Sequence, residues 1–241
     1  MDTERFLSVD ALYSNYGRFD VLKGVSFQVD RGECVCMIGP NGAGKSTVLK
    51  SVTHFLRPRK GNVYFKGQNI ARLHPVEIMR RGMVYVFQHH SIFPRMKVVE
   101  NLEMGAYART DRSGIARDIE SAMEMFPVLR EKRNALAGTM SGGQQRMLEI
   151  ARALIQGPEM LLLDEPTLGL APAIVHAIFQ KIREINTGLH VTVMIVEQNA
   201  KSALAISHRA YVLENGMNRM EGSTEQIQNN PDVIKLYLGG A

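Results

Sequence analysis

The run Gly39-Pro40-Asn41-Gly42-Ala43-Gly44-Lys45-Ser46-Thr47 fits the spacing G-x-x-x-x-G-K-[ST], with Gly39, Gly44, Lys45 and Ser46 in the fixed places. Its chemistry is anion capture. Glycines let the backbone curl so that several N–H groups converge on phosphate oxygens, and a helix opening at Ser46 adds the positive end of its dipole. Lys45 is placed to reach the β- and γ-phosphates of a nucleotide, and the Ser46 hydroxyl to bind Mg²⁺. The alternative is a chance glycine-rich turn. The flanks argue against it: the apolar run Cys34-Val35-Cys36-Met37-Ile38 precedes the loop and a helical pattern over 46–55 follows it. The loop alone indicates nucleotide phosphates, not what is done with them.

Two further stretches carry chemistry. Met160-Leu161-Leu162-Leu163 is an apolar run that ends in Asp164-Glu165. A buried strand here delivers both carboxylates to the carboxyl edge of a sheet, beside the phosphate loop. Asp164 is then placed to hold Mg²⁺ through water, next to Ser46, and Glu165 to orient or deprotonate an attacking water. The bland alternative is a strand end with two solvated acids. Ser141-Gly142-Gly143-Gln144-Gln145 opens a helix. Ser141 suits the N-cap and the two glycines keep the surface bare, so this helix start is also an anion site. A glycine-softened helix start is the alternative. Because the chain already has one phosphate site, a second must serve another phosphate or another copy.

The elements that position these groups follow from the apolar pattern. Strands are expected over 6–13, 25–29, 34–38, 61–65, 83–87, 160–163, 191–196 and 209–213, with turns at Tyr16-Gly17 and Asp30-Arg31-Gly32-Glu33. A short helix with proline in its first turn is expected over 75–81. From 98 to 156 no strand pattern occurs, and helices are expected over 98–104, 115–126 and 141–156. Further helices are expected over 172–186, 200–207 and, in the tail, 224–238. Alternating strand and helix with continuous apolar strands implies a mostly parallel sheet covered on both faces.

The 241 residues are 45% hydrophobic and 22% charged, enough for a sizeable core. No segment approaches the about 18 apolar residues a membrane span needs. The start, Met1-Asp2-Thr3-Glu4-Arg5, shows no basic flank before an apolar stretch, so no signal peptide is expected. The two cysteines, Cys34 and Cys36, are expected on opposite faces of a strand, which argues against a disulfide or a metal pair and for a reducing compartment. The net charge of +5 reads as a solvated basic face, with no basic block of the kind that forms a nucleic-acid arm.

With the phosphate loop, a helical stretch, Ser-Gly-Gly-Gln and Asp-Glu in that order, the chain resembles the ATP-binding subunit of ABC transporters over essentially its whole length. The resemblance implies an α/β fold with a P-loop NTPase (RecA-like) core, a mostly parallel sheet, an antiparallel β part at the N-terminus and a helical insert. It implies one domain over 1–241: a nucleotide-binding core of 1–93 and 157–223, a helical subdomain of 94–156 and a tail of 224–241. The signature of the family begins with leucine in most members, and here Met140 stands before Ser141-Gly142-Gly143-Gln144. In the family two subunits pair head to tail, and the signature of one closes over the γ-phosphate held by the other's loop. Tyr16 matches the aromatic that stacks on adenine, its bland alternative being a turn tyrosine. Gln88 matches the glutamine that touches Mg²⁺ and water and leads into the surface facing the membrane subunits. His89-His90-Ser91-Ile92-Phe93-Pro94 would lie on that surface, the histidines as interface or solvent groups rather than metal ligands.

Two departures narrow the resemblance. In Pro166-Thr167-Leu168-Gly169-Leu170-Ala171-Pro172, Ala171 stands where most relatives carry aspartate. In Glu197-Gln198-Asn199, Gln198 stands where most carry the histidine that contacts the γ-phosphate. Glutamine donates a hydrogen bond but carries no proton, so a contact from Gln198 lacks charge assistance. Together with Glu100-Asn101-Leu102, Met104-Gly105-Ala106-Tyr107 and the Tyr237-Leu238-Gly239-Gly240 end, these resemble LivF-type subunits of branched-chain amino acid importers. That type often has Pro-Glu-Gly where this chain has Phe87-Gln88-His89.

The resemblance implies ATP and Mg²⁺ as ligands. It implies a pair formed with itself or a similar ATPase subunit, separate integral membrane permease subunits, and indirectly a solute-binding protein. The place implied is the cytoplasmic face of the inner membrane. Another ABC system, for lipid or lipopolysaccharide export or for uptake of urea, amides or another small solute, stays open. A nucleic-acid repair or chromosome ATPase would need a long coiled coil or zinc modules; 98–156 is too short for the first and the cysteines too few for the second. A small-molecule kinase would leave Ser141–Gln144 without a purpose.

Overall fold

The computed structural model describes residues 5–89 and 91–237. The expectations that fall on Met1-Asp2-Thr3-Glu4, on His90 and on Leu238-Gly239-Gly240 lie outside the described residues. The chain opens with β1 (Arg5–Tyr16), β2 (Phe19–Asp30) and β3 (Cys34–Ile38), then α1 (Lys45–Val52), β4 (Lys60–Phe65), β5 (Gln68–Asn69), α2 (Pro75–Arg80) and β6 (Met83–Val86). Four helices follow with no strand among them: α3 (Val98–Gly105), α4 (Arg112–Met125), α5 (Pro127–Glu131) and α6 (Gly142–Leu154). The alternation then resumes with β7 (Met160–Asp164), α7 (Pro172–Leu189), β8 (Thr192–Glu197), α8 (Ala200–Leu204), β9 (Arg209–Glu214) and β10 (Met217–Ser223), and ends in α9 (Thr224–Gln228) and α10 (Pro231–Tyr237).

The strands form two sheets. A four-stranded antiparallel sheet runs β2-β1-β4-β5, and a six-stranded sheet runs β10-β9-β3-β8-β7-β6. In the larger sheet β9, β3, β8, β7 and β6 are parallel, and β10 adds an antiparallel edge. The expected α/β class with a mostly parallel core and an antiparallel β part is therefore the fold observed.

Alternation along the parallel strands splits the core in two. Val35 and Met37 of β3, Met160 and Leu162 of β7, and Met194 and Val196 of β8 pack with the antiparallel sheet and α1. Cys34, Cys36, Ile38, Leu161, Leu163, Val193 and Ile195 pack with the helices on the other face. This corrects the expected placing of the cysteines on opposite faces. Residues i and i+2 of a strand share a face, and Cys34 and Cys36 lie in one apolar cluster. Both are free thiols. Burial pushes each pKa up to about 12, so they act as packing groups rather than nucleophiles.

Other differences from the expected elements have local causes. Tyr16 ends β1 rather than sitting in a turn, and pairs across the hairpin with Phe19. Helix α1 stops at Val52 instead of 55, where the Thr53 hydroxyl donates back to Leu49 O and His54 takes a left-handed φ of 59°. The tail is two helices, because the side chain of Asn230 accepts from Asp232 N and starts a new one.

Candidate functional site

Three strand ends meet at the phosphate loop. In the parallel registers Ile38 lies opposite Glu197, and Val196 lies opposite Asp164. The loop after β3, the acid pair after β7 and the turn after β8 are thereby set side by side. The glycine spacing has a steric basis here. A Cβ on Gly39 would run into the backbone oxygen of Leu213, and Gly44 has φ of 104°, where side chains are strained. The loop is braced from behind: Gly216 N donates to Ala43 O at 3.0 Å, and Lys23 N donates to Gly216 O at 2.8 Å.

The loop and the acids form one hydrogen-bonded cluster. Lys45 is buried, and its Nζ donates to Gly39 O at 2.9 Å and Pro40 O at 3.2 Å and lies 3.3 Å from Glu165 Oε1. The Ser46 hydroxyl donates to Asp164 Oδ1 at 2.7 Å, and the Tyr85 hydroxyl donates to Asp164 Oδ2 at 2.6 Å. Gln88 Nε2 donates to Glu165 Oε2 at 2.8 Å. Burial pushes the Asp164 carboxyl above the usual carboxylate range. The hydrogen bonds from Tyr85 and Ser46 pull it back, and the charge of Glu165 adds to the rise. A nearby cation would favour the ionised form. Glu165 itself has φ of 43°, a left-handed conformation that costs a non-glycine residue on the order of 1 kcal/mol and that clusters at functional positions. Its N–H donates to Val196 O at 2.9 Å, which holds that conformation.

The remaining candidates lie around this cluster. Tyr16 is 45% exposed at the end of β1. Asn41 and Gly42 are exposed at the tip of the loop, as is Pro40. Thr47, like Ala43, is buried beneath it. Gln198 is exposed directly after β8, with its backbone N–H donating to Glu197 Oε2 at 3.0 Å. Ser141 caps α6: its hydroxyl accepts from Gln144 N at 3.4 Å, and Gln144 Oε1 accepts from Ser141 N at 3.1 Å. Gly142 is exposed. Gly143 is buried, which corrects the reading that both glycines keep the surface bare. A Cβ there would strike Ile174 Cγ2 in the first turn of α7. Gly143→Ala is expected to lower stability by about 1–3 kcal/mol through overpacking. Adding Ile174→Ala should recover part of that loss in urea unfolding.

Several buried polar residues brace the segments around this cluster. Glu197 is buried and accepts four donors: Thr167 N at 3.1 Å, Thr167 Oγ1 at 2.5 Å, Gln198 N at 3.0 Å and Asn199 N at 3.2 Å. Arg146, on α6, donates to Phe87 O at 2.8 Å and Gln88 O at 2.5 Å. It pairs with Glu149 at 2.9 Å, with side chains 4% and 1% exposed, and Glu149 also accepts from Ser91 N. Arg152 donates to Ser91 O at 2.8 Å. The helix that starts at Ser141 thus grips the segment that leads away from Gln88. Arg146→Ala would leave a buried carboxylate without this guanidinium and is expected to cost about 3 kcal/mol in denaturant unfolding. Asn101 is buried and closes the loop before α3, accepting from Phe93 N at 2.8 Å and donating to Phe93 O and Lys97 O, each at 3.0 Å.

A glycine loop on a parallel strand, with an acid pair on the next strand but one, defines a P-loop nucleotide hydrolase. Residues 22–168 match the ABC transporter family model. The chain is 43% identical, over 97% of its length and all of the relative's, to the high-affinity branched-chain amino acid transport ATP-binding protein BraG of Pseudomonas aeruginosa. An ATP-binding cassette of an ABC transporter, solved in its ADP conformation, superposes with a TM-score of 0.87 at 30% identity, covering 99% of this chain and all of that one. A bacterial ABC transporter cassette solved as a dimer superposes with a TM-score of 0.81 at 26% identity, covering 90% of this chain and 98% of that one. The chain belongs to the ABC transporter family, as an ATP-binding cassette with ATPase function. Among the described residues no helix is long and apolar enough to cross a membrane.

Proposed function

We propose that this chain hydrolyses ATP at the interface of two paired cassettes and drives an importer of branched-chain or related hydrophobic amino acids. The observation that carries the hydrolytic reading is the cluster of Lys45, Ser46, Gln88, Asp164 and Glu165 at one sheet edge. The transport named for the Pseudomonas relative supports the solute class.

In this reading the N–H groups of 39–47 and Lys45 bind the phosphates, and Tyr16 stacks on the base. The Lys45 ammonium leaves its carbonyl partners for the β- and γ-phosphates, a stronger anion. Glu165 orients the attacking water and accepts its proton. Gln88 holds Glu165 and reports its state to the segment that Arg146 grips. Gln198 donates one hydrogen bond to the γ-phosphate without carrying a proton. The oxygen donors of Ser46, Gln88 and Asp164 fit Mg²⁺: they are hard ligands, and among the described residues no histidine or cysteine cluster competes with them. When bound, Mg²⁺ supplies positive charge for the β- and γ-phosphate oxygens.

The helical subdomain 94–156 presents Ser141–Gln144 to the nucleotide of the paired cassette, which is a second copy or a similar ATPase subunit. The core is 1–93 with 157–223, and 224–241 is the tail. Separate permease subunits span the membrane, the cassette sits peripherally on its cytoplasmic face, and a solute-binding protein delivers the cargo. The test is reconstitution of the cassette with branched-chain permease subunits in vesicles. ATP turnover should rise several-fold when a binding protein loaded with leucine, isoleucine or valine is added. A rise with urea or an amide instead would reassign the solute and leave the ATPase in place. No assembly with such permeases would remove the importer reading.

A further inference from the structure

Glu197 is used by none of the steps above, yet it is the most heavily bonded carboxylate near the site. Its four acceptor positions are filled by donors from two loops. Oε1 takes the N–H and hydroxyl of Thr167, in the loop after the acid pair. Oε2 takes the N–H groups of Gln198 and Asn199, in the turn after β8. All four donate, so every acceptor position of the carboxylate is occupied, while burial still pushes its pKa above the usual carboxylate range. Thr167 O accepts from Leu170 N at 3.2 Å, and the loop runs on into α7, whose Ile174 lies against Gly143 of α6. A continuous set of contacts therefore joins Gln198, Glu197, Thr167, the 166–171 loop, Ile174 and the Ser141–Gln144 corner.

We infer that Glu197 is a positioning residue that couples the nucleotide bound by a chain's own phosphate loop to that chain's own Ser141–Gln144 corner. This rests on the two-half-site reading, in which that corner serves the nucleotide of the paired cassette. Glu197 then links the two nucleotides through one polypeptide. A shift of Gln198 toward a γ-phosphate pulls on a carboxylate that also holds Thr167. The 166–171 loop follows, and α7 carries the motion to Gly143, where contact leaves no slack.

Glu197→Gln tests this with the full chain. Whichever way the amide turns, its NH₂ group faces the N–H donors of one loop, so one of the two ties is lost. Thr167→Val removes one donor and serves as the independent variant should Glu197→Gln fold poorly. Amide hydrogen exchange is measured on the dilute, unpaired chain with and without MgATP. In the wild type, MgATP should slow exchange at 167–174 and at 142–145. In both variants ATP binding should stay within about threefold while that slowing is lost. In the assembled transporter, kcat should fall about tenfold with KM within about threefold, the split expected when an interaction matters after binding. Equal slowing in wild type and variants, or none in a wild type that binds ATP, would overturn the inference and leave the hydrolytic reading standing. Failure of the wild type to bind ATP would overturn the hydrolytic reading itself.

Discussion

Replacing Glu165 by glutamine is expected to lower ATP turnover by about 100-fold or more while ATP binding persists. A positioned general base contributes about 10²–10⁴-fold, and an amide cannot accept the proton. The geometry makes the effect specific. Glu165 is held in a left-handed backbone conformation with its N–H on Val196 O, and its carboxylate lies between Gln88 Nε2 and Lys45 Nζ. Glutamine keeps the size and one acceptor oxygen, so the loops stay in place. Its loss of charge also frees Lys45 from a competing anion, so nucleotide affinity should hold or rise. The measurements are steady-state phosphate release and retention of labelled ATP on the paired protein. Turnover within about threefold of wild type would remove the base role of Glu165.

Ser141→Arg is expected to abolish ATP-dependent pairing and to cut turnover by about 100-fold, with ATP binding by the single subunit changed less than about threefold. Donors aimed at a phosphoryl group are worth about 10²–10³ in rate. The substitution removes a cap worth about 1 kcal/mol. It also sets a cation at the positive end of the α6 dipole, an unfavourable placement of about 0.3–1 kcal/mol. Neither change touches the cluster around Lys45, since Ser141 and Gln144 bond to each other. Ser141→Ala separates the terms: it loses the cap and the hydroxyl but adds no bulk, and should retain partial pairing. Light scattering with and without ATP reads the pairing directly. Pairing by Ser141→Arg equal to wild type would argue against closure through this corner.

What the sequence disclosed depended on how far apart the cooperating residues lie along it. The phosphate loop, the acid pair and the Ser-Gly-Gly-Gln corner are each contiguous, and their spacing encodes their local geometry. The parallel strands were legible for the same reason, since β3, β7 and β8 are short apolar runs. The supports of the site are of another kind. Tyr85 meets Asp164 across 79 positions, Arg146 reaches Phe87 across 59, and Thr167 meets Glu197 across 30. Nothing in a local pattern pairs such residues. The polar Glu197 at the end of an apolar strand was the one available sign that a buried carboxylate needed donors. Strand β10 carries no sequence signal, because an edge strand exposed along most of its length shows no apolar alternation. The short helix α5 lies directly after α4, and its proline reads as a stop although it opens a new helix. Cys34 and Cys36 share one face because side chains along a strand repeat every two residues.

Clamping of nucleotide between two half-sites is tested most directly by one distance. In a structure of Glu165→Gln bound to MgATP within the assembled transporter, the separation to measure runs from Ser141 Oγ to the nearest γ-phosphate oxygen. Hydrogen-bond range, about 3 Å, to a nucleotide seated on the paired cassette's phosphate loop is the expected result. A closed, ATP-loaded assembly in which Ser141, Gly142 and Gly143 lie far from every phosphate would contradict it.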